Sequence, residues 1–217
     1  MNFSKCGFVL VFSFLYAWGA GTALFAQQYL EEAGDGGVRL VDVMTLDSTF
    51  LLDIRYATTN NFTGEQMYDC GKCYLREPVA ELLIEAHKEF KKAGYRIKLF
   101  DCYRPRPIQY KLWESVPDPR YVARPWKGSV HNRGGAVDLT LVDSTGKELE
   151  MGTPYDFFGE RAHQDFKDLP ADILQHRSLL TETLRKYHFS PIRTEWWHFD
   201  YNKNKLYPLS DLVWDCN

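Results

Sequence analysis

The sequence predicts an α+β domain, and three observations carry that prediction. Apolar residues recur at helical spacing in two separate stretches, Val79, Leu82, Leu83, Ala86 and Phe90 in one and Ile173, Leu180, Leu184 and Tyr187 in the other. Two further stretches, Tyr95–Phe100 and Ala136–Leu141, alternate with the two-residue period of half-buried strands. The length, 217 residues, suits one domain whose core needs neither metal nor disulfides to hold it.

Taken in order, residues 1–26 carry one early cation, Lys5, an apolar run from Gly7 to Trp18, and Ala23-Leu-Phe-Ala26 before Gln27. This pattern predicts a cleaved secretory signal, leaving residues 27–217 as the mature domain. The alternative, an uncleaved anchor, wants about 20 apolar residues to cross a bilayer, and this run is shorter. Gln27–Gly37 is a polar lead-in. Val41, Val43 and Leu46, then Phe50, Leu52, Ile54 and Tyr56, predict strands. Pro78 suits a first helical position, and Gly94 closes the helix it opens.

The strand Tyr95–Phe100 ends at Asp101 and delivers Cys102-Tyr-Arg-Pro105 to its end. Arg104, fixed between a strand end and a proline, is pre-aimed, and its planar fork suits an oxyanion or a carboxylate. Pro107–Val116 predicts a short helix, and Pro117–Lys127, with three prolines, a loop. Along Ala136–Leu141 the alternation puts Ala136, Asp138 and Thr140 on one face, and Asp143-Ser-Thr-Gly146 turns the chain back as a hairpin. Met151–Glu160 is aromatic and turn-rich. His87, His163, His176 and His188 lack partners at ligand spacing and read as surface or structural residues.

Composition narrows the function. A formal net charge of −3, with no run of Lys or Arg, predicts no nucleic-acid face. Removal of residues 1–26 takes Cys6 away and leaves Cys70, Cys73, Cys102 and Cys216, an even number in a chain bound for an oxidising compartment, which predicts disulfides. Three pairings stay open, although a bridge through Cys102 would brace the wall beside Arg104. Cys70-Gly-Lys-Cys73 lacks the second pair of a zinc ribbon and the βαβ setting of a redox motif.

The chemistry concentrates in Gly128–Leu141 and Thr194–Tyr201. Asp138 lies in an apolar strand, where an unpaired carboxylate is costly, so it needs a partner. His131, Asp138 and His198 make the three-ligand set of a catalytic zinc that keeps one position open, and Glu195 is left over as a general base. On an ideal strand Glu195 and His198 would face opposite sides, so a bulge or a strand end must separate them.

The motifs Ser129-x-His131-x-x-Gly134-x-Ala136-x-Asp138 and Glu195-Trp-Trp-His198, with Tyr103-Arg-Pro105 upstream, resemble the zinc D-alanyl-D-alanine dipeptidases. The resemblance runs from Tyr56-Ala-Thr and Asn61-Phe-Thr-Gly64 through Met151–Phe157 to Tyr201. It implies a mainly antiparallel sheet flanked by helices, as in zinc D-Ala-D-Ala peptidases and hedgehog-type domains. It also implies one zinc per chain, transition-state stabilisation by Arg104, and Tyr56, Ser129 and Asp156 around the free amino end of a small D-dipeptide. Export would place the enzyme in the periplasm or cell envelope with no stable membrane insertion after cleavage; oligomeric state stays open. Two rivals remain: a peptidoglycan D,D-carboxypeptidase or endopeptidase of the same fold, and a secreted metal-binding recognition domain without catalysis.

Overall fold

The computed structural model describes residues 29–30, 39–203 and 207–216, so the expected secretory signal lies outside the described residues. Strands β1 (Tyr29–Leu30) and β2 (Leu40–Asp42) pair antiparallel. The strand expected to continue through Val43 and Leu46 does not: the Asp42 carboxylate accepts the Met44 N–H and caps a one-turn helix, α1 (Val43–Leu46). Extended backbone resumes at β3 (Leu51–Leu52), and Tyr56 falls in a 3₁₀ turn, Arg55–Ala57, rather than on a strand. Strand β4 (Tyr74–Arg76), which the sequence pattern did not reveal, pairs with β2 and completes a small three-stranded sheet.

Helix α2 (Glu77–Lys92) carries Pro78 in its first turn and buries Val79, Leu83, Ala86 and Phe90. His87 is buried on the same face, accepts the Ile97 N–H at 3.2 Å and stacks on Phe50, so it is structural. Then follow β5 (Arg96–Asp101), α3 (Arg106–Ser115), β6 (Ala136–Val142), α4 (Ala171–Lys186), β7 (Phe189–Pro191) and β8 (His198–Tyr201). The second sheet has the order β3-β5-β6-β8-β7; β3 runs parallel to β5 and every other pair is antiparallel. The predicted α+β architecture is therefore present, with α2 and α4 packed on strands β5 and β7 and on each other. After β6 the Asp143–Gly146 turn folds back, and Leu149 donates to the Leu141 carbonyl.

Strand β6 is the centre of the sheet and is buried along its whole length. Val137, Leu139 and Leu141 join the main core, each burial worth roughly 1.5–3 kcal/mol, and the alternation turns Asp138 to the opposite face. The antiparallel register sets Asp101 of β5 opposite Asp138, and Asp138 opposite His198 of β8, so three polar side chains stand in one row across three strands. Two disulfides close the frame. Cys73–Cys102 ties the start of β4 to the end of β5, and Cys70–Cys216 anchors the C-terminal segment. Chain-entropy arguments make such bridges worth roughly 3–5 kcal/mol each. Among the described residues no helix is long and apolar enough to cross a membrane.

Candidate metal centre and catalytic cavity

His131 enters the site from a 3₁₀ turn, His131–Arg133, that ends on Gly134 in the left-handed region (φ 68°). A side chain at Gly134 would be strained and would collide with Leu40, so glycine is what lets the turn reverse into β6. His131, Asp138 and His198 are all buried, and one ligand atom from each lies within 4.8 Å of the others.

Hydrogen bonds to the outward atoms decide which atoms face inward. The His131 Nδ1–H donates to the Cys102 carbonyl (2.7 Å), and the His198 Nε2–H donates to the Asp200 carboxylate (2.8 Å). The Tyr155 hydroxyl donates to Asp138 Oδ2 (3.0 Å). What remains are three lone pairs in contact: His131 Nε2 and His198 Nδ1 at 3.1 Å, His198 Nδ1 and Asp138 Oδ1 at 2.9 Å, and His131 Nε2 and Asp138 Oδ1 at 3.3 Å.

Three acceptors so close require a positive charge between them. With a proton in that place, burial opposes the charge on His198, but the hydrogen bonds to Asp138 and Asp200 outweigh it and hold its pKa well above the usual imidazole value. Burial likewise opposes ionisation of Asp138, yet His131 and His198 hold it far below the usual carboxylate range. A divalent cation satisfies all three atoms at once, and the outward hydrogen bonds are those that orient metal ligands.

Glu195 lies just before β8, so a strand end separates it from His198, one of the two solutions the spacing allowed. Its carboxylate stands 4.0 Å from His198 Nδ1, beside the triad and outside it, and burial pushes its pKa up to about 7. Arg104 is buried, and its guanidinium is gripped by Asp101 through Nε (3.0 Å) and Nη2 (2.7 Å) and by Gln109 through Nη1 (2.8 Å). Asp101 also accepts the Tyr68 hydroxyl (2.9 Å), and Gln109 donates to the Ala123 carbonyl (2.8 Å), which joins Arg104 to the proline-rich loop. The cation sits over the Tyr56 ring, 5.1 Å from its centroid.

Tyr56, Ser129 and Asp156 line the same cavity, of about 360 Å³, as Arg104, Glu195 and the triad. The Tyr56 hydroxyl donates to Asp156 (3.2 Å). Burial, then the like charges of Asp138 and Glu195, push the Asp156 carboxyl well above its usual range, and a cation placed beside it would favour the ionised form. Asp156 also has φ 59°, a left-handed conformation that Asp tolerates better than most residues. Ser129 Oγ accepts the His131 N–H at 3.3 Å.

All eight expected residues therefore meet in one cavity, while His163, His176 and His188 do not line it. Sequence reasoning missed the residues behind them. Asp101 had a signal, as a carboxylate three positions before Arg104, and Asp200 had another, since a two-residue strand period puts it on the face of His198. Tyr155, Tyr68 and Gln109 had none. The cysteine pairings, open in the sequence, are 70–216 and 73–102, and the second does brace the wall next to Arg104 while the Cys102 carbonyl holds His131.

The chain is 34% identical over 177 residues to a D-alanyl-D-alanine dipeptidase of Escherichia coli (strain K12), covering 82% of this chain and 92% of that one. It is 31% identical over 168 residues to the enzyme of that name from Enterococcus faecalis (strain ATCC 700802 / V583), covering 68% and 83%. The counterpart from Enterococcus faecium is 30% identical over the same length, with the same coverage. The family model described as D-ala-D-ala dipeptidase matches residues 37–212, and the chain belongs to that family of zinc metallopeptidases.

Proposed function

We propose that this protein hydrolyses the D-Ala-D-Ala dipeptide to two D-alanines, with His131, Asp138 and His198 as the ligands of one zinc ion. The observation that carries the reading is the meeting, in one cavity of about 360 Å³, of a buried His–Asp–His set, a spare carboxylate at its edge and a second buried carboxylate, Asp156, bonded to the Tyr56 hydroxyl. When bound, zinc supplies Lewis-acid polarisation of the scissile carbonyl and makes water more acidic.

The chain's own residues do the rest. Asp156 and the Tyr56 hydroxyl receive the substrate ammonium, with Ser129 beside them, and fix the dipeptide by its free amino end. Burial and neighbouring carboxylates keep the Tyr56 phenol far above its ordinary pKa, so its O–H stays in place donating to Asp156 while the oxygen lone pair accepts from the ammonium. Glu195, with a pKa near neutrality, takes a proton from the attacking water as its oxygen bonds to the carbonyl carbon. Glu195 then passes that proton to the leaving nitrogen as the C–N bond breaks. Arg104, immobilised by Asp101 and Gln109, answers the charge that builds on the carbonyl oxygen without having to reorganise.

We also place the enzyme outside the cytoplasm, in the periplasm or cell envelope, with residues 1–26 as the export signal. Two disulfides support an oxidising compartment. An exported enzyme meets dipeptide that is released or supplied outside the cell, which favours turnover or recycling of wall peptides. A D,D-carboxypeptidase would need room beyond the amino end and no charge there, and Asp156 opposes both. Rates on D-Ala-D-Ala, N-acetyl-D-Ala-D-Ala and a pentapeptide, before and after chelation and zinc return, test the reading. Hydrolysis confined to the free dipeptide and restored by zinc is expected; equal rates on all three would overturn it.

A further inference from the structure

Three loops distant in sequence meet at the amino end of the cavity through their aromatic rings. Phe158, two residues after Asp156, stacks on Tyr121 of the proline-rich loop with centroids 4.5 Å apart and planes 21° apart. Its other neighbour is Phe62, 5.1 Å away, from the loop that follows the Arg55–Ala57 turn. Phe62 in turn sets its edge against the Tyr56 ring at 6.2 Å, and the Tyr56 hydroxyl bonds Asp156. All three rings line the cavity. Ring pairs of this kind contribute roughly 0.5–1.5 kcal/mol beyond the area they bury, enough to hold loops together.

From this arrangement we infer that Phe62, Phe158 and Tyr121 form a clasp that sets substrate length on the amino side. The inference rests on the proposed dipeptidase reading and adds to it. The groups proposed to hold the ammonium, Asp156 and the Tyr56 hydroxyl, adjoin this cluster: the Tyr56 ring meets Phe62, and Asp156 stands two residues before Phe158. An acyl group or a preceding residue on that nitrogen would have to occupy the space where the three rings meet. Asp156 supplies an electrostatic preference, because a buried carboxylate facing an uncharged amide goes unpaired. The clasp supplies a steric stop. The two act separately, so removing the charge does not admit a longer peptide.

The test measures kcat/KM of the zinc-loaded enzyme on D-Ala-D-Ala, N-acetyl-D-Ala-D-Ala and diacetyl-lysyl-D-Ala-D-Ala. Phe158→Ala and Tyr121→Ala, changes on two different loops, should each raise the absolute kcat/KM on the acylated substrates about tenfold, the scale on which one apolar group in a pocket discriminates. Phe158→Leu, which refills most of the space, should gain less than Phe158→Ala. Asp156→Ala should lower the free-dipeptide value and leave the acylated ones where they were. If Phe158→Ala does not fold, as read from zinc content and melting temperature, Tyr121→Ala and Phe158→Leu carry the same measurement. Acylated-substrate values no higher than wild type in every folded clasp variant overturn the inference while the dipeptidase reading stands. A wild-type enzyme inactive on D-Ala-D-Ala overturns both.

Discussion

At one end of the cavity His131, Asp138 and His198 stand on a strand ladder and a 3₁₀ turn, with their outward atoms tied by hydrogen bonds of 2.7, 2.8 and 3.0 Å. At the other end Asp156 sits on a loop in a left-handed conformation, met by the Tyr56 hydroxyl at 3.2 Å, and Phe158 two residues on packs against rings from two other loops. The difference follows from what each end must recognise. Metal ligands and a transition state demand geometry held to about 0.5 Å, which strands and their hydrogen-bonded supports supply. An ammonium needs only a buried charge and a matching shape, which loops can present and vary. On the proposed function, chemistry resides at the rigid end and selectivity at the loop end.

The largest expected effect separates ligand from base within the rigid end. Glu195→Ala should keep zinc yet lose roughly 10²–10⁴-fold in kcat, the usual contribution of general-base catalysis, whereas His198→Ala should lose the metal itself. Turnover and metal content measured on the same preparations decide it, and full zinc occupancy in His198→Ala would remove that residue from the ligand set. The base also sets a pH limit. Burial raises the Glu195 pKa to about 7, so the active carboxylate is lost as pH falls through that value, and a cation beside it moves the limb lower. An acid limb in kcat at saturating dipeptide that vanishes in Glu195→Ala is the expected profile.

Arg104→Ala comes next, with zinc retained and kcat reduced about 10²–10³-fold, as when one oxyanion donor is removed. Asp101→Asn should produce part of the same loss, because the carboxylate that fixes the guanidinium is then uncharged. A loss in KM alone for Arg104→Ala would move that residue to the loop end of the comparison. Smaller still is Asp200→Asn, which should weaken zinc affinity about 10–100-fold, the usual cost of disturbing a partner behind a ligand. Competition with a chromophoric chelator reads it, and unchanged affinity would mean that the outward hydrogen bond to His198 does not tune the site.

The same contrast explains how much could be read in the sequence. That the triad, Glu195 and Arg104 come together in one cavity was legible because strands and strand ends impose short, fixed spacings on chemically unusual residues. The break between Glu195 and His198 was legible for the same reason: a two-residue period required a bulge or a strand end there, and the structure has the strand end. Strand β4, three residues long, and β7, also three, gave no periodicity to detect, and the Asp42 cap that converts Val43–Leu46 into a helical turn competes with an apolar pattern that favours a strand. At the loop end Tyr56, Ser129 and Asp156 had no pattern of their own, and only the family resemblance drew attention to them. The rings of Phe62, Tyr121 and Phe158 come together solely through tertiary structure.

Predictions at the loop end concern binding. Asp156→Ala should raise KM for the free dipeptide roughly 10–100-fold, the scale of one charged hydrogen bond, and leave the N-acetylated dipeptide almost unchanged. The pH sign follows from the raised pKa. The ammonium needs the ionised carboxylate, so KM for the free dipeptide should rise as pH falls and the carboxyl takes up a proton, while KM for the N-acetylated compound should not. Equal impairment of both substrates by Asp156→Ala would place the ammonium subsite elsewhere.

Ser129→Ala carries the smallest effect and the closest test of whether the two ends are separable, because its hydroxyl serves both. Ser129 lines the cavity, and its Oγ accepts the backbone N–H of His131 at 3.3 Å, a long bond next to a side chain already fixed by the Cys102 carbonyl at 2.7 Å. If the rigid end owes its order to the ring contact, losing the weaker backbone bond should leave zinc affinity within about twofold. KM for the free dipeptide should rise about 2- to 10-fold, the range for one neutral hydrogen bond of roughly 0.5–1.5 kcal/mol. The measurement pairs a zinc competition titration with KM on D-Ala-D-Ala. A zinc loss as large as that in Asp200→Asn would show that the turn carrying His131 depends on the serine, and that the cavity behaves as one unit rather than two.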